Sequence, residues 1–237
     1  MAIENPKNLK QAEKDEVVSY FNGQGFDRWN RIYSDSSEVN NVQRNIRVGH
    51  QKTVDDVISW VKDRDDLSKL SFCDAGCGVG SLSIPLALLG AGSIAASDIS
   101  KAMVDETKRR AQIESIDLER ISFKISDLEG IKGSFHTVIC LDVFIHYPQV
   151  AAEEMVKHLC SLTEKRLIVS FAPFTLFLAL LKKIGQFFPG PSKTTRAYIL
   201  REKGIVNAAK SCGFKVKRSK LNQAPFYFSQ LIEFEKI

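Results

Sequence analysis

The chain has 237 residues, which fits one α/β domain carrying extra elements. It is 44% hydrophobic and 26% charged, with 14 Gly and 7 Pro, a composition that excludes disordered, collagen-like and low-complexity proteins. A net charge of +5 gives a mild preference for anionic partners and leaves nucleic acid, an anionic membrane surface and an acidic small substrate open.

Targeting and cysteine patterns both favour an intracellular protein. The longest apolar stretch, residues 171–181, is interrupted by Pro173 and Thr175 and is shorter than the ~20 residues of a membrane-spanning helix. The N-terminus lacks the apolar core and cleavage site of a signal peptide. The five cysteines include no C-x-x-C pair, which argues against a disulfide framework or a zinc site. We therefore expect a cytoplasmic protein with reduced, mostly buried thiols.

Helical patterns fill the first part of the chain. One covers residues 9–22 and ends at Gly23, and a second covers residues 37–62 with a break near Gly49. These patterns predict a helical N-terminal cap formed by residues 1–65.

Apolar runs alternate with helical patterns from residue 71 to residue 170, which is typical of a parallel, doubly wound sheet. Two later β-patterned runs, residues 214–221 and 226–234, flank a turn-rich break at residues 222–225 and predict an antiparallel hairpin. We expect an α/β, Rossmann-like fold with a seven-stranded mixed sheet in residues 66–237. The five predicted parallel strands are LSFCDAGCG, SIAASD, ISFKISD, HTVICLDVF and RLIVSF.

The segment between the fifth strand and the hairpin is longer than a βα crossover requires, so we interpret residues 174–197 as a lid over the substrate. It holds an apolar helix, a Pro-Gly-Pro hinge and a short basic stretch. Its phenylalanines predict a flat apolar wall, with ordinary core packing as the alternative. Its basic residues suit a second carboxylate of the substrate or anionic lipid headgroups, with surface solubility as the alternative. The residues concerned are Phe171, Phe174, Phe177, Phe187, Phe188, Lys182, Lys183, Lys193 and Arg196.

A glycine-rich turn, DAGCGVG at residues 74–80, stands where the first strand gives way to a helix. Its glycines let the backbone approach a ligand at a helix N-terminus, which suits a nucleotide-like cofactor, with a merely tight turn as the alternative. A dinucleotide fingerprint would need a third glycine at Ser81. Asp98 and Asp127 end the next two predicted strands, where open α/β sheets bind ligands. Together with Asp74 they predict one ligand site at the carboxyl ends of three strands.

The D-x-G-x-G order resembles the first motif of S-adenosylmethionine-dependent methyltransferases. YFNGQGFDRWNRIYSDSSEVNNVQRNIRVGHQKTV at residues 20–54, DAGCGVGSLSIPLALLGA and ASDISKAMV together resemble the magnesium-protoporphyrin IX O-methyltransferases of chlorophyll biosynthesis. That resemblance covers most of the chain. It implies a class I methyltransferase fold with a helical cap, S-adenosylmethionine as co-substrate and no protein-bound metal. The implied reaction moves a methyl group to one propionate of magnesium protoporphyrin IX.

The resemblance also implies roles for the cofactor site. Asp98 would accept hydrogen bonds from both ribose hydroxyls, and Asp127 one from the adenine amino group. The other cofactor-binding residues predicted with them are Asp74, Gly76, Cys77, Gly78, Gly80, Ile99, Met103, Leu128 and Leu141.

Two residues are predicted at the substrate. His146 follows the fourth strand and is expected to face the methyl-transfer site, unless it only bonds to backbone; Tyr33 belongs to the cap segment of the resemblance, unless it only packs there. Arg44, Arg47 and His50 could share a helical face by their spacing of three, usually a solvated face, and Arg47 is predicted to meet the methionine carboxylate. The run after the fourth strand contains no Asn-Pro-Pro-Tyr-like tetrad of the kind found in nucleic-acid N-methyltransferases, and no basic stripe is interleaved with aromatics. Both observations argue against a nucleic-acid substrate.

A propionate has a pKa of about 4.3, so it is ionised near neutral pH and needs no general base. Two alternatives stay open: a methyltransferase of the same fold acting on a quinone precursor or phenol, which would need a base, and a non-catalytic tetrapyrrole carrier. The resemblance further implies the large subunit of magnesium chelatase as a partner and a peripheral location at photosynthetic membranes.

Overall fold

The computed structural model describes Asp15 and residues 17–33, 39–63, 66–174 and 198–237. Within these ranges one mixed sheet of seven strands is covered by helices on both faces. The helices and strands, in chain order, are α1 (Gln24–Ile32), α2 (Asn41–Lys62), β1 (Ser71–Ala75), α3 (Ser83–Leu88), β2 (Ser93–Asp98), α4 (Lys101–Ile113), β3 (Ile121–Ile125), β4 (Phe135–Cys140), α5 (Gln149–Leu162), β5 (Thr163–Phe171), α6 (Glu202–Ser211), β6 (Phe214–Ala224) and β7 (Tyr227–Lys236).

The strand order is β3-β2-β1-β4-β5-β7-β6, with β1 to β5 parallel and β7 antiparallel to both β5 and β6. All five predicted parallel strands and the hairpin are therefore confirmed. The hairpin turn is shorter than predicted, since β6 continues to Ala224 and only Pro225 and Phe226 lie between the strands. Asn222, predicted in the turn, pairs with Ser229 instead, which extends the β6–β7 ladder. Its side-chain amide donates a hydrogen bond to the hydroxyl of Thr53 on α2.

The sheet is buried on both faces, which explains why its central strands are continuous apolar runs. Helices α5 and α6 pack on one face with β4 and β5. On the other face, Val54, Val57 and Val61 of α2 are fully buried and join α3 and the central strands in a second cluster. The second half of the predicted cap thus contributes to the core of the sheet.

Helix α2 begins with a capping box in which Asn40 and Gln43 satisfy each other's backbone N–H groups. The predicted break near Gly49 is wrong, because α2 is continuous through it. Gly49 is needed for close packing instead: a Cβ there would collide with the ring of Tyr227 on β7. Helix α1 is an element that the periodicity did not predict.

In the first predicted helix, Asp15 and residues 17–21 are helical, and a turn follows at Asn22 and Gly23. All five cysteines are free, four of them buried, as predicted. No helix in the described ranges combines the length and the apolar character that crossing a bilayer requires.

Candidate active site

A cavity of about 560 Å³ opens beyond the carboxyl ends of β1, β2 and β4 and is covered by residues of α1 and α2. The strand order reverses between β1 and β4, and open α/β sheets bind ligands at that point. The sequence-predicted residues that line it are Tyr33, Asp74, Gly76, Cys77, Gly78, Asp98, Ile99, Met103, Asp127, Leu128, Leu141 and His146.

The turn after β1 has the backbone conformation that glycine permits. Gly76 and Gly78 have φ values of +87° and +53°, and a Cβ on Gly78 would have nothing within 4 Å. The backbone N–H of Gly78 donates to Oδ2 of Asp98 at 3.0 Å, which ties the turn to the end of β2. The result is a concave backbone surface that leaves room for a ligand.

Two predicted cofactor residues do not line the cavity. Gly80 has φ +86° and packs against α4, since a Cβ there would lie 2.9 Å from Thr107. Arg47 donates from Nε to the carbonyl of Ile32 at 2.5 Å and from its terminal nitrogen to that of Arg31 at 2.8 Å. Its guanidinium therefore holds the end of α1, where carbonyls lack helical partners. Arg47 was predicted to meet the cofactor, but it does not line the cavity.

Asp74 is the buried acid at the end of β1, and Ser83 of α3 donates to its Oδ2 at 2.5 Å. Burial raises the pKa of Asp74 to about 6, despite this hydrogen bond. Its carboxylate is thus costly to ionise without a cationic ligand nearby.

Asp98 is the last residue of β2, and Asp127 lies two residues after the neighbouring strand β3. Asp98 accepts from the backbone N–H groups of Gly78 and Ser100, at 3.0 and 2.9 Å, and burial raises its pKa. Asp127 accepts from the N–H of Gly130 at 2.7 Å through Oδ1. Both line the cavity, as the site prediction requires.

Asp142, the second residue after β4, is the centre of a hydrogen-bond network. Its Oδ2 accepts from Nδ1 of His50 at 2.9 Å and from the hydroxyl of Tyr227 at 2.7 Å. Its Oδ1 accepts from Ser170 at 2.7 Å and from Ser229 at 2.9 Å. Burial alone would raise the pKa of Asp142, but the hydrogen bonds, led by that of His50, hold it at about 2. The network joins α2, β5 and β7 at the floor of the cavity.

Tyr33 follows α1 and lines the cavity between two other rings. Its ring is stacked on Trp29 with centroids 5.4 Å apart, and it lies 4.3 Å from the imidazole of His50. Burial, and secondly the charge of Asp142, raise the pKa of Tyr33 above its usual value. The phenol therefore stays protonated and can act as a hydrogen-bond donor.

His146 ends a short 3-10 turn, Phe144–His146, and contacts Phe21 edge-on at 5.0 Å. Its Nδ1 is buried and has no hydrogen-bond partner among the described residues. Burial lowers the pKa of His146 to about 4, so the imidazole is neutral at pH 7. A buried nitrogen without a partner is destabilising unless a ligand supplies one.

A family model described as magnesium-protoporphyrin IX methyltransferase C-terminus matches residues 140–236, and a methyltransferase domain model matches residues 72–166. The magnesium-protoporphyrin O-methyltransferase of a Synechocystis species is 51% identical over 226 residues, which are 95% of this chain and 97% of that protein. The chain belongs to the magnesium-protoporphyrin O-methyltransferase family.

Two further comparisons agree with this membership. The chloroplastic magnesium protoporphyrin IX methyltransferase of Arabidopsis thaliana is 49% identical over 93% of this chain and 70% of that protein. The crystal structure of a family member from Synechocystis with bound SAH is similar with a TM-score of 0.87 and 49% identity, covering 94% of this chain and 100% of that chain. The predicted class I methyltransferase fold is confirmed.

Two residues of the predicted apolar wall lie away from the cavity. Phe171 is fully buried in the core, and Phe174 is 43% exposed under Arg201, so neither lines the cavity. Phe177, Phe187, Phe188, Lys182, Lys183, Lys193 and Arg196 lie outside the described residues, as does most of the predicted lid. The aromatic residues that do line the cavity are Tyr20, Phe21, Trp29, Tyr33, Tyr147, Tyr198, Phe226, Tyr227 and Phe228.

Several functional candidates were not predicted. Asp142 follows a strand, just as Asp98 and Asp127 mark strand ends, and the same positional rule would have found it. His50, expected on a solvated face, is 6% exposed and also bonds to Ser81 at 2.8 Å. Tyr227 carries no local signal, because only the hairpin brings it to the cavity. Within the described ranges, no group of three or more His, Cys, Asp or Glu side chains is placed to hold a metal.

Proposed function

We propose that this protein transfers a methyl group from S-adenosylmethionine to a propionate carboxylate of magnesium protoporphyrin IX, giving the monomethyl ester in chlorophyll biosynthesis. The observation that carries this function is the 51% identity to the Synechocystis enzyme over 97% of its length. The aligned region covers 95% of this chain and so includes most of the cap, whose residues contribute to the cavity wall.

The residues at the strand ends fit S-adenosylmethionine. Gly78 provides the open backbone surface, Gly76 lets the turn pack closely against Val143, and the buried Asp98 offers carboxylate oxygens to ribose hydroxyls. Asp127, two residues after β3, lines the cavity and would accept a hydrogen bond from the adenine amino group. Asp74, costly to ionise alone, is compatible with a cationic ligand. S-adenosylmethionine supplies an electrophilic methyl group attached to a sulfonium.

The acceptor needs orientation more than proton abstraction. A propionate is ionised near neutral pH, since its pKa is about 4.3. His146, neutral and unpartnered at Nδ1, and Tyr33, held protonated, are suited to donate hydrogen bonds to the carboxylate. Holding the reacting oxygen against the methyl group in a water-poor cavity accounts for several kcal/mol of the barrier reduction.

The His50–Asp142 network supports this arrangement. Asp142 is saturated by four donors, so it is not available as a base. Its function is to fix His50, and through ring contact Tyr33, at the cavity. Proton abstraction from a phenol would instead need a base with a pKa near 7.

We also infer a docking partner and a location, both beyond the methyl transfer itself. The family resemblance supports the large subunit of magnesium chelatase as the partner, and the net charge of +5 supports peripheral contact with an anionic photosynthetic membrane. Co-sedimentation with vesicles that contain a defined fraction of anionic lipid tests the membrane contact. Pull-down with the purified chelatase subunit tests the partner separately.

The experiment that tests the function offers labelled S-adenosylmethionine with one acceptor at a time. The acceptors are magnesium protoporphyrin IX, metal-free protoporphyrin IX and a panel of phenols, and Asp98→Ala serves as the control with weakened cofactor binding. At a limiting concentration of S-adenosylmethionine, we expect label on magnesium protoporphyrin IX with the native protein and much less with Asp98→Ala. Label on a phenol only would favour the quinone-type alternative, and tight porphyrin binding without label would favour a carrier.

A further inference from the structure

The cavity has an unusual charge balance for a protein whose acceptor is an anion. Four carboxylates line it, those of Asp74, Asp98, Asp127 and Asp142. Among the described residues that line it, Arg28 of α1 is the one Lys or Arg. Of the cavity residues that the structure describes, Arg28 is therefore the one that can offer a guanidinium to a dicarboxylic ligand.

The Arg28 guanidinium makes no hydrogen bond or ion pair within the described part of the chain. It lies over the face of Trp29, 5.8 Å from the ring centroid. The indole Nε1 of Trp29 is likewise buried without a partner there. Arg28 and Trp29 therefore leave donors for carboxylate oxygens unsatisfied on one wall of the cavity.

The wall that carries Arg28 is fixed relative to Tyr33. Trp29 stacks on Tyr33, and Arg110 of α4 donates to the carbonyl of Tyr33 at 2.9 Å and to Oδ1 of Asn30 at 2.6 Å. The end of α1 is thus anchored to α4. Arg28 stands at a set position with respect to the reacting end of the cavity, which suits recognition of a second group on a rigid ligand.

We propose that Arg28 binds the propionate of magnesium protoporphyrin IX that is not methylated, and so makes the enzyme specific for the first esterification. The macrocycle has two propionates, and with one on Arg28 the other is presented to His146 and Tyr33. In the monomethyl ester, placing the remaining carboxylate at the reacting position leaves the uncharged ester against Arg28. The second methylation is disfavoured for that reason.

The test measures porphyrin binding by its absorbance with SAH present, so that no turnover occurs. Arg28→Gln removes the charge, Arg28→Lys keeps it without the bidentate fork, and Arg44→Gln removes an exposed charge of α2 as the matched control. We expect Arg28→Gln to weaken binding of magnesium protoporphyrin IX about 10–100-fold and that of its dimethyl ester less than about twofold. Arg28→Lys should fall between, and Arg44→Gln should match the native protein.

The kinetic counterpart is the ratio of kcat/KM for the diacid to that for the monomethyl ester. We expect this ratio to fall about tenfold or more in Arg28→Gln. If Arg28→Gln loses equal affinity for the diacid and for the dimethyl ester, the assignment is overturned. It is also overturned if SAH binding is weakened while porphyrin binding is unchanged, because Arg28 would then contact the methionine carboxylate. The assignment rests on the proposed function, but binding is read without methyl transfer, so an inactive protein that still shows the Arg28 effect would refute only the reaction.

Discussion

Nδ1 of His50 lies 2.9 Å from Oδ2 of Asp142, and this contact joins the long helix α2 to the loop that follows β4. Asp142 occupies a left-handed backbone conformation, with φ of +56°, which is uncommon outside glycine. The conformation is stabilised by the donors around its carboxylate. The network therefore couples the cap to the sheet at the point where the acceptor is expected.

Asp142→Asn should lower the free energy of unfolding by about 2–4 kcal/mol, because the amide offers one acceptor oxygen to donors that now surround two. Urea denaturation measures this, with the exposed Asp117→Asn as a control that should resemble the native protein. The pKa of Asp142 in the folded state, about 2, is below the unfolded value of about 3.9. The stabilisation by ionised Asp142 is thus present above pH 4 and is lost as the pH falls towards 2. The difference in the free energy of unfolding between the native protein and Asp142→Asn should therefore become smaller below pH 4. A difference that stays constant down to pH 3 would contradict the ionised network.

His146→Ala should lower kcat about 10–100-fold and leave the affinity for S-adenosylmethionine nearly constant, because it removes oriented hydrogen bonds to the acceptor alone. His146→Gln, which keeps a donor but cannot act as a base near pH 7, should retain substantial activity. The folded pKa of His146 is about 4, so it should produce no change in rate between pH 5.5 and 8. A Gln variant as inactive as Ala, with a native rate that falls as the pH drops through about 6.5, would indicate base catalysis and a phenolic acceptor.

Tyr33→Phe should lower kcat about tenfold while the melting temperature stays within a few degrees, since the ring contacts with Trp29 and His50 persist. Tyr33→Ala should lose both activity and stability. Paired kinetic and thermal measurements on the two variants separate the roles of hydroxyl and ring. Full activity in Tyr33→Phe would leave Tyr33 with a packing role only.

Asp98→Ala should weaken S-adenosylmethionine binding by roughly 1.5–3 kcal/mol, because two charge-assisted hydrogen bonds to the ribose are lost. Asp127→Ala should weaken it less, since one bond to a neutral amino group is lost. Calorimetry on both variants provides the comparison. Unchanged affinity in Asp98→Ala would move the cofactor away from β2, and an equal or larger loss in Asp127→Ala would place the adenine elsewhere.

The strands, and the cavity residues at their carboxyl ends, could be predicted because their signals are local. Asp98 marks a strand end, and Gly76 and Gly78 stand in a turn whose conformation excludes most other residues. The cap was harder. Gly49 was interpreted as a helix break. A glycine is needed there because the ring of Tyr227 packs against it, and Tyr227 lies far along the chain.

The acceptor side depends on long-range packing that periodicity cannot show. Arg47 carries the same charge as Arg28, yet it holds the end of α1 while Arg28 lines the cavity. His50 was expected on a solvated face, and its burial follows from the position of Asp142. In both cases the fold decides which of several similar side chains reaches the site.

The most direct test of a carboxylate acceptor is the chemical stability of the transferred label. After transfer from methyl-labelled S-adenosylmethionine to magnesium protoporphyrin IX, the isolated product is treated with mild alkali, which cleaves methyl esters and leaves methyl ethers intact. The proposed reaction predicts that the label is released as methanol and that the starting porphyrin is recovered. Label retained on the product after this treatment, or no label on magnesium protoporphyrin IX from a protein that binds S-adenosylmethionine, would contradict it.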